Sequence, residues 1–227
     1  MPDVPSSPPV EVTLASILAE RRRMETAGVD PSIVDPDPMV QFGRWYDEVI
    51  DAGINQPDAM ALATVDHEGR PEVRHVLLKG VDERGLSFYT NYESDKAAQI
   101  AGAPDVSVVF PWLQVNRQVR VRGVVGKVSA EESDAYWVTR PRGSQLGAWA
   151  SAQSRVIPGR DWLDRRLAQL GERYGETDPI PRPPHWGGYL IDPEMVELWQ
   201  GRADRLHDRV RYLRQPDGSW ATERLSP

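Results

Sequence analysis

Three apolar runs, AMALATV (59–65), PEVRHVLLKGV (71–81) and LSFYT (86–90), follow one another with only the turn signals DHEG and DERG between them. This spacing constrains the fold more than any other feature of the chain. Strands joined by a few residues must run antiparallel, because a parallel crossover needs a dozen residues or more. The pattern resumes with VSVVF (106–110) and RQVRVRGVVGKV (117–128), the latter alternating over part of its length. GGYLI, MVELWQ, RVRYLR and WATERL close the chain as strands, the last two around QPDG. About eight strands at short spacing, with helices inserted, predict a mainly β protein with an antiparallel sheet curled into a barrel, not βαβ units.

Helices fill the gaps. Thr13 can cap a helix over 14–27, stopped by Gly28; its ERRRME segment is either a solvated face or an arm closing over an anion. Asp37-Pro38 opens a second helix, with Met39, Phe42, Trp45, Tyr46, Val49 and Ile50 near helical spacing. A short helix follows Ser94, Ser129 and Glu132 fit a capping box, and 161–174 is amphipathic. Residues 1–11 hold four prolines and two serines and read as a disordered tail, which leaves 12–227 as one domain.

Composition narrows the chemistry. A net charge of −7 disfavours nucleic acid as a partner, while a local basic pocket can still take an anionic small molecule. There is no cysteine, so thiolate metal sites and cysteine nucleophiles are excluded. His67, His75, His185 and His207 form no close-spaced ligand pair, so no metal is expected. No GxGxxG follows a strand, and GVVGK lacks the spacing and hydroxyl of a phosphate-binding P-loop. No apolar run reaches membrane or signal-peptide length, so the expected location is the cytoplasm, away from membranes.

Basic residues recur on or beside the strands: Arg74 and Lys79; Arg117, Arg120 and Arg122; Arg140 and Arg142; and Arg205 and Arg209 around His207 in WQGRADRLHDR. One such residue usually faces solvent. Several clusters on an acidic chain suit phosphate, which the arginine fork grips through paired N–H groups. Ser94 and Lys96 sit at a helix start, where backbone N–H groups favour anions, and Ser144 lies in a Gly-containing loop. Two groups of this kind suit two phosphates, one on a cofactor and one on a substrate.

RHVLLK, FYTNYESDKAAQI, FPW with RQVRVRG, TRPRGSQLGAWASAQS, HWGGY and WQGRADRLHDR with ERLSP resemble, in order and over roughly 20–227, the pyridoxamine 5′-phosphate oxidase family. The resemblance implies an FMN-binding split β-barrel, a homodimer with FMN at the subunit interface, and oxidation of pyridoxamine 5′-phosphate or pyridoxine 5′-phosphate to pyridoxal 5′-phosphate, with O2 reduced to H2O2. It assigns to FMN the residues Arg74, His75, Val76, Leu77, Leu78, Lys79, Tyr89, Thr90, Lys96, Gln118, Gln153, Ser154, Trp199 and Arg209. It assigns to the substrate Arg21, Lys79, Tyr136, Arg140 and Ser144, with Arg205 and His207 as the catalytic pair over the pyridine ring. Asp208 is expected in a structural salt bridge, and Arg202 on plain surface. Two positions depart from the family pattern. Asp95 stands where a basic residue is common and should turn away from phosphate; Met24 stands where a substrate-covering tyrosine is common. Two other readings are a split-barrel flavin oxidase of secondary metabolism, phenazine-type, and a non-catalytic flavin or pyridoxal-phosphate carrier. The carrier is expected to lose the Arg205/His207 pair.

Overall fold

The computed structural model describes residues 28–227. The expected helix over 14–27, with Arg21 and Met24, and the tail 1–11 lie outside the described residues. Eight strands follow in chain order: β1 (Ala59–Val65), β2 (Pro71–Asp82), β3 (Gly85–Asn91), β4 (Asp105–Trp112), β5 (Arg117–Lys127), β6 (Trp186–Gln200), β7 (Asp208–Arg214) and β8 (Trp220–Leu225). The helices are α1 (Pro38–Asp51), α2 (Asp95–Gly102), α3 (Ala130–Thr139), α4 (Arg142–Ala150) and α5 (Arg160–Tyr174). The sheet order is β3-β2-β1-β4-β5-β6-β7-β8, and β3 also pairs with β6. That extra pairing closes β3, β2, β1, β4, β5 and β6 into an antiparallel barrel and leaves β7 and β8 as a wing, the split barrel the sequence predicts.

β6 corrects one expectation. GGYLI and MVELWQ are a single strand of 15 residues. Along one edge it pairs with β5 from Tyr189 to Gln200. Its other edge serves β3 over Trp186–Ile191 and then β7 over Met195–Gln200. The exchange falls at Asp192–Pro193–Glu194, where a proline with no N–H to donate loses no ladder bond. The β5–β6 register slips at the same place, between Arg122 and Gly123. Glycine flanks the slip on both sides. A Cβ on Gly123 would lie 2.0 Å from the carbonyl oxygen of Asp192, and one on Gly85, whose φ is +132°, would lie 2.0 Å from that of Ile191.

The barrel interior is apolar, with Met60, Leu62, Phe88, Phe110, Val119, Val121, Ile191, Val196 and Leu198 all buried, and Val210 and Tyr212 of β7 extend the same buried cluster. α1 covers it, with the Phe42 ring 4.9 Å from Phe110 and 5.6 Å from Trp112. Met39, Phe42, Trp45 and Val49 are buried as expected, but Ile50 is 49% exposed because it lies about 100° round the helix from Val49. Asp37 caps α1 by accepting from the Met39 and Val40 N–H groups, and Ser129 and Glu132 form the expected capping box on α3. A smaller cluster of Trp137, Ile180 and Trp186 joins α3 to the start of β6, with Trp137 Nε1 donating to the Ile180 carbonyl at 2.7 Å. Among the described residues no helix is long and apolar enough to cross a membrane.

Gly123→Ala places a methyl group against backbone that cannot yield. The expected loss is about 3 kcal/mol of folding stability or more, read from the denaturant midpoint. Gly126→Ala, where a Cβ meets nothing within 4 Å on the same strand, should lose far less.

Candidate functional site

The first group surrounds the start of α2. Arg74 on β2 donates to the Thr64 hydroxyl and, at 2.8 Å, to the Gln99 side-chain oxygen, and Thr64 donates to the same oxygen at 2.6 Å. Lys96 donates to Gln153 Oε1 at 2.8 Å, and its Nζ lies 3.3 Å from both the Thr90 and Ser94 hydroxyls. Burial lowers the pKa of Lys96, and the nearby Arg74 charge lowers it further. Burial likewise lowers that of Arg74. Among the described residues neither cation has a carboxylate within salt-bridge distance; amide oxygens hold both. The Ser94 hydroxyl does not cap α2 but donates backwards to the Asn91 carbonyl at 2.7 Å, so the N-cap side chain itself leaves this helix N-terminus open. The Ser154 hydroxyl accepts from the Asp95 N–H at 3.2 Å from a left-handed backbone, φ 67°. A cavity of about 1040 Å³ opens here, lined by Arg74, Lys96, Gln99 and Ser154. Asp95 lies on its rim, and its carboxylate is 3.5 Å from Arg155. It has not left the cavity, but a cation shares its charge.

The second group stands on α3 and α4. Tyr136 stacks on Tyr89 at 4.0 Å, and both rings lie nearly parallel to Trp186. The Arg140 guanidinium lies 4.4 Å over Trp186 and donates to the Ser144 carbonyl at 3.1 Å. Burial lowers the Arg140 pKa. Ser144 is not in a loop. It is in the first turn of α4, whose N-cap is Pro141 and which no side chain caps. Gly143 and Pro141 read as loop residues, yet proline fits a helix start and glycine is tolerated inside. Arg142 meanwhile donates to the carbonyls of Tyr174, Gly175 and Asp178, closing the end of α5.

The third group lies on β5, β6, β7 and the loop before β7. Gln118, Trp199 and Arg209 stand side by side in register across three strands. Glu197, buried two residues before Trp199, accepts from Arg209 Nε at 2.9 Å and from Arg120 at 2.6 Å. His207 sits 4.6 Å from the Trp199 ring, and its Nδ1 accepts the Arg202 N–H at 3.1 Å. A neutral His207 ring therefore carries its proton on Nε2. Arg205 is exposed, and both it and Asp204 adopt left-handed backbone, φ 62° and 55°. Such residues cost about 1–3 kcal/mol each and must be held by their surroundings. Asp208 supplies part of the hold: it accepts from the Val29 N–H at 3.2 Å and from Arg224 at 2.8 Å, and lies 3.5 Å from Arg202. The expected salt bridge of Asp208 is thus present, whereas Arg202 is part of this network and not plain surface.

Lys79 stands apart from all three. Leu78 pairs with Phe88 and Gly80 with Ser87, so Lys79 is the extra residue of a β-bulge. It donates to Asp58 at 2.8 Å. Elsewhere on β2 the pairing sets Arg74 and Val76 against core-facing Leu62 and Met60, while His75 and Leu77 face the other side. Within one chain the first and third groups share no contact among the hydrogen bonds or ring pairs described. Thr64, Gln99, Asp58 and Glu197 went unpredicted. Thr64 had a signal, a polar residue on the core-facing phase of AMALATV, and Gln99 another, lying three residues after Lys96 on one helix face.

The family described as "Pyridoxamine 5′-phosphate oxidase" matches residues 46–174, and its "C-terminal dimerisation region" matches residues 186–227. A pyridoxine/pyridoxamine 5′-phosphate oxidase of Cupriavidus necator is 54% identical over 211 residues, covering 92% of this chain and 99% of that protein. One from Rubrobacter xylanophilus is 54% identical over 91% of this chain and 94% of its own length. Among solved structures, PhzG from Burkholderia lata, in complex with tetrahydrophenazine-1-carboxylic acid, superposes with a TM-score of 0.83 at 28% identity, over 90% of this chain and 100% of that one. Matched along nearly its whole described length and at more than half its positions, the chain belongs to the pyridoxamine 5′-phosphate oxidase family.

Proposed function

We propose that this protein is an FMN-dependent oxidase that converts pyridoxamine 5′-phosphate and pyridoxine 5′-phosphate to pyridoxal 5′-phosphate, acting as a homodimer. One observation carries the reading: Arg74 and Lys96 lie together, partly buried, with no carboxylate within salt-bridge distance, beside a helix N-terminus that its own N-cap side chain leaves open. Two like charges held together by neutral amides fit a dianion better than any neutral ligand. The donor set therefore suits the FMN phosphate, with Thr90, Gln153 and Ser154 completing it. Gln118, Trp199 and Arg209, aligned across β5, β6 and β7, would face the ring system, and the assignments of His75, Val76, Leu77, Leu78 and Tyr89 rest on the family resemblance. Bound FMN would supply the acceptor for two electrons from substrate C4′, with O2 reduced to H2O2; from pyridoxamine 5′-phosphate, water then provides the aldehyde oxygen and the amine leaves as ammonia.

The substrate phosphate suits the second group. Arg140, held flat on Trp186, and the open first turn of α4 at Ser144 present donors to an anion, while Tyr136 walls the site. His207, with Nδ1 already satisfied by Arg202, offers an Nε2–H donor and so orients the pyridine ring with Arg205.

Distance supports the homodimer. Trp186 touches Arg140, Trp199 touches His207, and both lie on β6. Thirteen residues of strand span roughly 43 Å at about 3.3 Å each, shortened somewhat by the bend at Pro193. No substrate of this class reaches both from one chain. A second copy, joined through the region from Trp186 onward, would bring the His207 loop of one protomer to the Arg140 group of the other.

A phenazine-type oxidase is the second reading, favoured by the likeness to PhzG. An uncapped helix start beside an arginine accepts a carboxylate as readily as a phosphate. One assay separates the two. FMN-loaded protein should consume O2 and form the pyridoxal aldehyde from both phosphorylated substrates; protein that cannot be loaded with FMN, or that turns over neither substrate, refutes the assignment. Lys96→Met should weaken FMN binding roughly tenfold or more, since a charge-assisted bond contributes about 1.5–3 kcal/mol, as read by flavin fluorescence on titration. His207→Ala should lower kcat by about tenfold or more while leaving FMN affinity within about twofold. Equal loss of both would make His207 structural.

A further inference from the structure

We propose that Asp58 is a specificity-determining residue that holds Lys79 until a phosphorylated ligand draws the lysine away. The inference rests on the reading that Lys79 contributes to the substrate phosphate site. Four cations are assigned to phosphate by resemblance: Arg74, Lys79, Lys96 and Arg140. Among the described residues, only Lys79 is paired with a carboxylate. Its Nζ donates to Asp58 Oδ2 at 2.8 Å, and the two side chains are only 27% and 24% exposed.

The two partners are not equally free to move. Asp58 is anchored through its own carbonyl, which accepts the Leu78 N–H at 2.8 Å, so its backbone stays beside β2 whatever the lysine does. Lys79 is the unpaired residue of the bulge and has a four-carbon stem. Bulges re-aim side chains, and here the chain gives the lysine freedom to swing while the aspartate keeps its place. A cavity of about 410 Å³ adjoins the pair, between α1 and the end of β2, lined by Tyr46, Asp47, Asp58 and Lys79. Both carboxylates of that cavity repel an incoming anion. A small anion such as inorganic phosphate must break the Asp58–Lys79 pair with nothing else to offset the loss. A phosphorylated pyridine brings ring contacts as well, and so can displace Asp58. An unphosphorylated pyridine never engages the pair.

The test uses the FMN-loaded protein, wild type against Asp58→Asn and Lys79→Met. Equilibrium binding of pyridoxal 5′-phosphate is read by quenching of protein fluorescence, inorganic phosphate is titrated as a competitor, and KM is measured for pyridoxine with and without its phosphate. Asp58→Asn should tighten both pyridoxal 5′-phosphate and inorganic phosphate roughly two- to fivefold, the scale of one partly exposed ion pair. Inorganic phosphate should gain at least as much, and the KM for unphosphorylated pyridoxine should not move. Unchanged or weaker binding of both anions overturns the proposal. If Lys79→Met leaves pyridoxal 5′-phosphate binding intact, the underlying assignment of Lys79 fails. If Lys79→Met weakens binding but Asp58→Asn does not tighten it, only the role of Asp58 fails. Asp58→Ser, which keeps the anchoring carbonyl and removes the charge, serves the same comparison should the asparagine variant misfold.

Discussion

The structure depends on one strand being shared between two neighbours. β6 gives one edge wholly to β5 and divides the other between β3 and β7, and the division is possible because Pro193 has no N–H to leave unpaired. Steric room decides the rest: only glycine fits at position 123 and at position 85, where backbone carbonyls approach from β6. The barrel closes through the first half of the strand, and the wing hangs from the second. Trp186 and Trp199, near its two ends, therefore support different groups: Arg140 packs on the first and His207 beside the second.

Electrostatics sorts the basic residues of this acidic chain into two kinds. Most arginines meet a carboxylate, as Arg120 and Arg209 meet Glu197 or Arg224 meets Asp30 and Asp208. Arg74, Lys96 and Arg140 instead rest on amide oxygens, hydroxyls and an indole face. The first kind is neutralised and holds strands and loops in place. The second keeps its charge available, at the cost of desolvation that depresses the pKa values of all three.

The hairpins of β1, β2 and β3 were legible because their turns are local and strongly signalled by glycine after acidic residues. β6 was read as two strands because Asp192-Pro193 has the composition of a break; only its long-range pairing shows that the chain runs straight on. Ser144 was misplaced for a similar reason, since Pro141 and Gly143 punctuate loops in general but here stand at a helix start. Family motifs pointed to Arg74, Lys96, Arg140 and His207. They could not show that Gln99, Gln153 and Thr64 hold the cations, because those contacts join segments 10 to 57 residues apart. Nor could they show that Arg202 supports His207 through a backbone N–H, a contact independent of side-chain identity.

The length of β6 has a genetic consequence. If the Arg140 group of one copy works with the His207 loop of the other, each dimer holds two sites, and each site draws on both chains. A chain lacking Arg140 and a chain lacking His207 are then both inactive alone, yet a dimer of the two contains one site with both defects and one with neither. Two damaged alleles in the same cell would restore up to half the activity per mixed dimer, whereas two defects on one chain leave no intact site when the other chain carries either.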